Sequence, residues 1–245
     1  MTSTTYNNGR FGNQIIRNLA VSFIAEKNNL KVDYANYDAI NILGIKLFTG
    51  TNIYSDIKKL TENNYFDIYE NSNLINYNLD ANESFFQTKK IINIIYDYIN
   101  SHNIKSNIIL KNPFKERYNN NNDIFIHIRL SDMAHNNPGL DYFLNTIKLI
   151  KERNDFNNIY ISTDEINHDI IKKIMEKYPQ TNLINYDEIQ TFQFGSTCKN
   201  IILSHGSFSA IIGYLSFYSN VYYHKYEENK TWYGDMFSIN NWIEL

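Results

Sequence analysis

The stretch "DIFIHIRLSD", Asp123 to Asp132, decides how this chain folds. Its apolar run ends abruptly in Arg129 and Asp132, which predicts a strand over "DIFIHIR" followed by a loop. Strand alternation puts His127 and Arg129 on one side, and Ile126 and Ile128 on the other. From here the pattern becomes regular. "LDYFLNTIKLIKER" predicts a helix, "NIYIST" a strand, and "NHDIIKKIMEKY" a helix stopped by Pro179. "TNLIN" predicts a strand, "EIQTFQFGSTCK" a helix, "NIILSH" a strand, "SFSAIIGYLSFYS" a helix and "NVYYHK" a strand. Strands alternating with helices imply an α/β fold built on a doubly wound parallel sheet.

Upstream the same alternation is looser. "TSTTY" suits a short first strand. After the turn in "NNGRFGNQIIRNLA", Ile15, Ile16, Leu19, Ala20, Phe23 and Ile24 recur at helical spacing. "KVDYA" predicts a second strand and Ala39 to Phe48 a helix, while Thr51 to Ser84 has no clean period. Gln87 to His102 predicts a helix with Ile91, Ile95 and Ile99 on one stripe. "KNPFKERYNNNND" combines a proline, charges and four consecutive asparagines, and is the best candidate linker. The expected organisation is residues 1–120, residues 121–225, and a tail over 226–245 packing back on the fold.

With 245 residues and 43% hydrophobic content, the chain can bury roughly three quarters of its unfolded surface. A net charge of -3 excludes a general attraction to nucleic acid, so any phosphate-binding cations are local. The single cysteine, Cys198, excludes an internal disulfide framework and fits a reducing compartment. The first residues have neither a basic start nor an apolar run, so no signal peptide is expected. The apolar window Ile201 to Tyr223 is interrupted by Ser204, His205, Ser207, Ser209, Ser216 and Ser219, and no membrane span is expected.

Four places at expected strand ends or helix starts carry candidate chemistry. Gly9, Arg10, Gly12, Asn13 and Gln14 form a glycine turn at a helix N-terminus, a place where backbone N–H groups suit anions; a simple helix start is the other explanation. In "HIRLSD", Arg129 suits a diphosphate because its fork donates several N–H bonds at once; an Arg–Asp pair holding the loop is the alternative. In "STDE", Asp164 could accept from a ribose or base, or Thr163 or Asp164 could cap the next helix. In "SHGSFS", Gly206 and Ser207 open a helix whose N–H groups could face a phosphate, or Ser207 could simply cap it. No two aspartates stand two apart, so the Asp-x-Asp metal motif is missing, and the six histidines lack zinc-ligand spacing. Neither a G-x-G-x-x-G nor a G-x-S-x-G is present.

Taken in order, these stretches resemble the fucosyltransferase superfamily with the GT-B fold, closest to glycosyltransferase family 11, the α-1,2-fucosyltransferases. "GRFGNQ" is similar to that family's N-terminal G-R-[LF]-G-N-Q, a motif shared with the protein O-fucosyltransferases. "ESFFQTKKIINII" resembles its Y-F-Q-S segment, and "IFIHIRLSD" its V-H-x-R-R-G-D motif. "LDYFLNTI", "IYISTDE", "CKNIILSHGSFSAIIGYLS" and the final "NNWIEL" resemble the segments that follow, collinear over nearly the whole chain.

The resemblance implies two Rossmann-like domains facing a cleft, with an acceptor-side domain over residues 1–120 and a nucleotide-sugar domain over 121–225. It implies inverting, metal-independent transfer of L-fucose from GDP-β-L-fucose to a glycan hydroxyl, with no cofactor. By the same likeness Arg129 contacts the pyrophosphate and His127 supports it. Asn13 lies near the sugar and acceptor, in the turn with Gly9, Arg10, Gly12 and Gln14. Asp164 reads the nucleoside, and Gly206, Ser207 and Phe208 sit by the phosphates and base. Asp132 is the candidate general base, or it orients Arg129. The chain departs from the family at Leu130, where a second arginine is usual, at Ser131 for a glycine, and at Ala210–Ile211 for a double tryptophan. These departures leave open another 6-deoxyhexose donor, such as a rhamnose nucleotide, or a non-catalytic nucleotide-sugar-binding relative. A cytoplasmic location, in a bacterium or a virus-infected host cell, is the matching expectation. No expectation about oligomeric state follows.

Overall fold

The computed structural model describes residues 1–5, 9–132, 134–225 and 234–245. The chain divides into two units: Met1–Ile108 with Tyr233–Met236, and Ile109–Trp232 with Phe237–Leu245. Part of the expected tail, residues 226–233, lies outside the described residues. Both sheets are parallel throughout, with helices between the strands, so the α/β class read from the sequence holds.

In the first unit, strands β1 (Thr2–Ser3), β2 (Val32–Asp33), β3 (Ile57–Lys59) and β4 (Asn78–Asp80) stand in the order β2-β1-β4-β3. Helix α1 (Phe11–Asn28) joins β1 to β2 and is buried almost all round; Ile15, Ile16, Leu19, Ala20 and Ile24 are fully enclosed. It packs against α3 (Tyr65–Tyr69) and α4 (Lys89–Asn100). The helix expected over 39–48 is instead the short α2, Tyr37–Ile42. It stops because Gly44 turns to φ +84, with its α-carbon against the backbone of Ile108 where a Cβ would clash. Beyond it Ile45 and Leu47 are buried without being helical. The pattern over 87–102 resolves into α4, then an extended Ser101, then a second helix, α5 (His102–Lys111). The sequence did not reveal α5, because Ile104 and Ile108 are its only buried apolar residues.

The second unit is regular. Its elements are β5 (Ile124–Ile128), α6 (Leu140–Arg153), β6 (Ile159–Thr163), α7 (Asp169–Lys177), β7 (Thr181–Leu183), α8 (Glu188–Gly195), β8 (Asn200–Leu203), α9 (Ser207–Tyr214), β9 (Asn220–Tyr223) and β10 (Ile243–Glu244). The sheet runs β10-β9-β8-β5-β6-β7. Counted from β5, this is the 3-2-1-4-5-6 order of a Rossmann sheet. β5 is buried along its whole length. Ile124, Ile126 and Ile128 enter the apolar layer of Phe143, Ile147, Ile171 and Ile174 from α6 and α7. Phe125 points the other way, edge-on to Phe194 of α8. The asparagine-rich stretch before β5 is tied to this unit. Arg117 pairs with the buried Asp123 at 2.7 Å, and Asn121 donates to the carbonyls of Arg117 and Thr197.

Ile126 sits opposite Ile161 and Ile202, whereas Ile57 on the edge strand β3 is 60% exposed. Ile126→Ala is therefore expected to lower unfolding free energy by about 2–5 kcal/mol, and Ile57→Ala by about 0.5 kcal/mol or less. Urea melts followed by circular dichroism measure both.

Candidate functional site

An open parallel sheet offers a crevice where neighbouring strands send their connections in opposite directions. In the second unit that point lies between β5 and β8, and most of the residues singled out in that half gather there. The backbone leaving β5 is tethered from both neighbours. The Arg129 N–H donates to Ser204 Oγ, just past β8, at 3.3 Å. The Leu130 N–H donates to Asp164 Oδ1, just past β6, at 2.7 Å. Ser131 adds its own N–H to Oδ1 at 3.4 Å and its hydroxyl to Oδ2 at 2.6 Å. Burial alone would raise the Asp164 carboxyl; these donors outweigh it and hold the group below its ordinary value. Asp164 thus shapes the Arg129 loop. It does not cap α7, as one alternative had it: the cap is His168, whose Nδ1 accepts from the Ile170 N–H at 3.2 Å.

The Arg129 guanidinium is gripped in turn. Nε and Nη2 donate to Asp132 Oδ1 at 3.0 and 2.9 Å, and Nη2 donates to Oδ2 at 2.8 Å. Its side chain is only 15% exposed. Nη1 takes no part in this pair and lies toward Gly206, 3.5 Å from where a Cβ on that residue would stand. Gly206 has φ +103, a conformation that suits glycine, and supplies no side chain to cap α9. The N–H groups of the first turn of α9 accordingly keep the unsatisfied character of a helix start, beside a guanidinium edge.

His127 completes the cluster. Its ring stacks on Phe208 at 4.9 Å between centroids, and Phe208 in turn lies 4.2 Å from Phe192. His127 Nδ1 and Ser209 Oγ share a hydrogen bond of 2.6 Å. Burial pushes the His127 imidazolium down to about 4; Asp164 opposes this and Arg129 adds to it. The ring is therefore neutral near pH 7 and serves as packing and hydrogen-bonding support. Sequence reasoning missed Ser204 and Ser209, although both lie in the quoted "SHGSFS". A serine beside a glycine turn carries no mark of which strand it will bond.

The first unit has its own crossover point, between β1 and β4. Gly9, Arg10, Gly12, Asn13 and Gln14 fall there, at the start of α1. Gly9 has φ +90, and a Cβ on it would strike the Asn13 side chain. Arg10 is exposed, and its carbonyl accepts from the Gln14 N–H at 3.2 Å. Gly12 is buried in the first turn of α1. Gln14 donates from Nε2 to the Gly9 carbonyl at 3.0 Å and accepts from Asn36 Nδ2. Asn13 Oδ1 accepts from Gln87 Nε2 at 2.7 Å. Gln87 lies in the motif "ESFFQTKK", and nothing in that stretch marks the contact it makes with Asn13. The candidate residues thus form two sets, one in each unit. Among the described residues, no group of three or more histidine, cysteine or acidic side chains could hold a metal ion, and no helix is long and apolar enough to cross a membrane.

No family model matches the chain, and no curated protein matches it. Among solved structures, it is similar to POFUT1 in complex with GDP. The TM-score is 0.50 and the identity 10%, over 91% of this chain and 97% of that one. The likeness to POFUT1 shows the fold. The match covers nearly the whole length of both proteins, and the two parallel sheets with helices in this chain fit the α/β architecture expected of the GT-B class. The chain is also similar to the fucosyltransferase NodZ from Bradyrhizobium, with TM-score 0.40 and 11% identity, over 65% of this chain and 58% of that one. For the NodZ alpha-1,6-fucosyltransferase soaked with GDP-fucose the TM-score is 0.38 and the identity 11%, over 63% and 57%. The chain thus spans less than two thirds of NodZ.

His127 makes stability depend on pH. It folds neutral, with its value near 4, and protonates near 6.5 when unfolded. Between these values the unfolded chain binds more protons, so stability is full above about 6.5 and falls as pH drops toward 4. The contribution of His127 to that loss is about 3 kcal/mol. His205, which burial and the neighbouring His224 also lower to about 4, acts in the same direction. Urea melts at pH 7.5 and 4.5 are expected to differ less in a His127→Gln variant than in the parent.

Proposed function

We propose that this chain is an inverting glycosyltransferase that works without a metal and moves L-fucose from GDP-β-L-fucose to a hydroxyl of a glycan acceptor. The observation that carries the proposal is Arg129. A nearly buried guanidinium is fixed by Asp132 at the β5–β8 crossover, with Nη1 directed at the uncapped start of α9. Two further observations support it: the ordered motifs, from "GRFGNQ" to "NNWIEL", and a fold shared with a protein solved in complex with GDP.

Departure of GDP builds negative charge on the β-phosphate. A guanidinium and helix-start N–H groups held in place beforehand stabilise that charge without reorganising as it forms. In this reading Arg129 Nη1 and the first N–H groups of α9 meet the diphosphate, and Gly206 keeps the space between them clear. Asp132 orients the guanidinium, since both of its oxygens accept from it. Asp164 holds the loop that carries Arg129. Phe208, packed between a neutral His127 and Phe192, is held by both rings beside the place we assign to the base. On the acceptor side we assign Asn13 the contact with the sugar and its incoming hydroxyl. The α-1,2 linkage belongs to the same proposal, resting on the motif order.

In isothermal titration, GDP is expected to bind while UDP and dTDP do not, and GDP should raise the melting temperature. Arg129→Ala is expected to weaken GDP binding at least tenfold and to lower transfer from GDP-fucose onto a panel of galactosides by about 100- to 1000-fold. Chelator should leave the rate unchanged. Binding of GDP by Arg129→Ala at parental strength, or loss of turnover in chelator, would overturn the assignment.

A further inference from the structure

The segment that follows β4 is built with more constraint than a connection needs. Arg17, fully buried in α1, donates from Nε to the Ser84 carbonyl at 3.0 Å. Glu62 Oε1 accepts from the N–H groups of Phe85 and Phe86 at 2.8 and 2.7 Å. Phe86 is itself fully buried and held at φ +57, a conformation that a side chain of its size seldom adopts. The next residue is Gln87. Its backbone carbonyl lies against Gly234, where a Cβ would clash, so its main chain is fixed from a second side. Its side chain, in a residue 4% exposed, ends on Asn13.

The consequence falls on the Asn13 amide. Gln87 Nε2 occupies Asn13 Oδ1, and Gly9, having no side chain, leaves room for Nδ2 beside it. Among the described residues no hydrogen bond engages Nδ2. An asparagine amide left to itself can rotate by half a turn and exchange its donor for its acceptor. Here the Gln87 amide, whose own Oε1 is buried with no hydrogen-bond partner among the described residues, donates to one end and so sets which end is presented.

We propose that Gln87 is a positioning residue: by donating to Asn13 Oδ1 it turns the Asn13 amide so that Nδ2 is the group offered to the sugar substrate. This rests on the acceptor-side role proposed for Asn13, and it makes that role one of donation to a hydroxyl or ring oxygen. In this reading Asn13 is a donor because Gln87 is one, and the buried Arg17 and half-buried Glu62 hold the backbone that leads into Gln87.

The test uses the full chain with Gln87→Ala, Gln87→Glu, Asn13→Ala and the Asn13→Ala/Gln87→Ala double variant. Transfer from GDP-fucose is expected to lose roughly 10- to 100-fold in kcat in each single variant, the scale of a misplaced positioning group. GDP affinity, governed by Arg129 in the other unit, should stay within about twofold of the parent, an order-of-magnitude bound for an uncoupled site. The double variant should be no worse than Asn13→Ala alone, because Gln87 acts through Asn13. Gln87→Glu, which places an acceptor against Oδ1, should not rescue. Additive losses, or a Gln87→Glu variant of parental activity, would overturn the proposal. The side-chain amide resonances of Asn13, identified by their disappearance in Asn13→Ala, give a reading that needs no turnover. They are expected to shift in Gln87→Ala, and resonances left unmoved would overturn the proposal. If the parent binds GDP but transfers no fucose, the proposed function fails, and the resonances alone decide whether Gln87 sets the amide.

Discussion

The anchorage of β5 on both sides is the constraint from which the proposed donor site follows. A strand buried on both faces and paired to β6 and β8 leaves the sheet in one direction only. Ser204 then fixes the next amide from one side, and Asp164 the one after from the other. With the backbone so held, the place of the Arg129 guanidinium depends on its own side-chain torsions, and Asp132 settles those. The Arg129–Asp132 pair, with Asp132 half exposed, adds little to stability, since such pairs are worth about 0–1 kcal/mol. Its value is geometric. Charge placed in advance is what a group leaving as a dianion requires, and a side chain free to reorient would supply much less of it.

The rest of the second unit serves this placement. The Rossmann order puts the start of α9 next to the exit of β5, because β8 is the strand that crosses to the other side of β5. Gly206 is the hinge of that arrangement. A side chain there would need an unfavourable φ and would stand between the guanidinium and the helix start. His127, neutral and packed between Phe208 and Ser209, fixes the lateral position of the same helix turn without adding charge.

The legibility of the chain followed burial. β5 to β9 and the helices between them stood out in the sequence because each helix carries one apolar stripe and each strand a short apolar run. α6 covers the stretch expected from "LDYFLNTIKLIKER" residue for residue. The first unit was harder because its strands have two or three residues and its helix α1 is enclosed all round, leaving little contrast along the chain. α2 was overestimated because Ile45 and Leu47 continue a helical spacing that Gly44 breaks for a tertiary reason, its contact with Ile108. At the sites, residue types that hold special backbone or charge (Gly9, Gly206, Arg129, Asp132) were legible. Their partners were not. Ser204, Ser209 and Gln87 are ordinary polar residues whose importance comes from a hydrogen bond across the fold, and no local pattern records that bond.

Leu130 shows how such a departure is absorbed. Where the resembling family carries a second arginine, this chain places a leucine that is buried with Ile124, Ile126 and Ile128 in the layer under α6 and α7. The position after Arg129 points to the opposite face of the sheet, so a leucine there completes the apolar layer and removes no group from the Arg129 side. Its N–H still donates to Asp164, so the loop geometry survives the change of side chain. In the proposed complex the diphosphate is met by one guanidinium and the partial charge of a helix start, roughly half an elementary charge. Neutralisation is incomplete, and the dependence on Arg129 being correctly held is correspondingly greater. That dependence is a physical reason for the loop to be tied by three separate elements, β6 through Asp164, β8 through Ser204 and its own turn through Asp132.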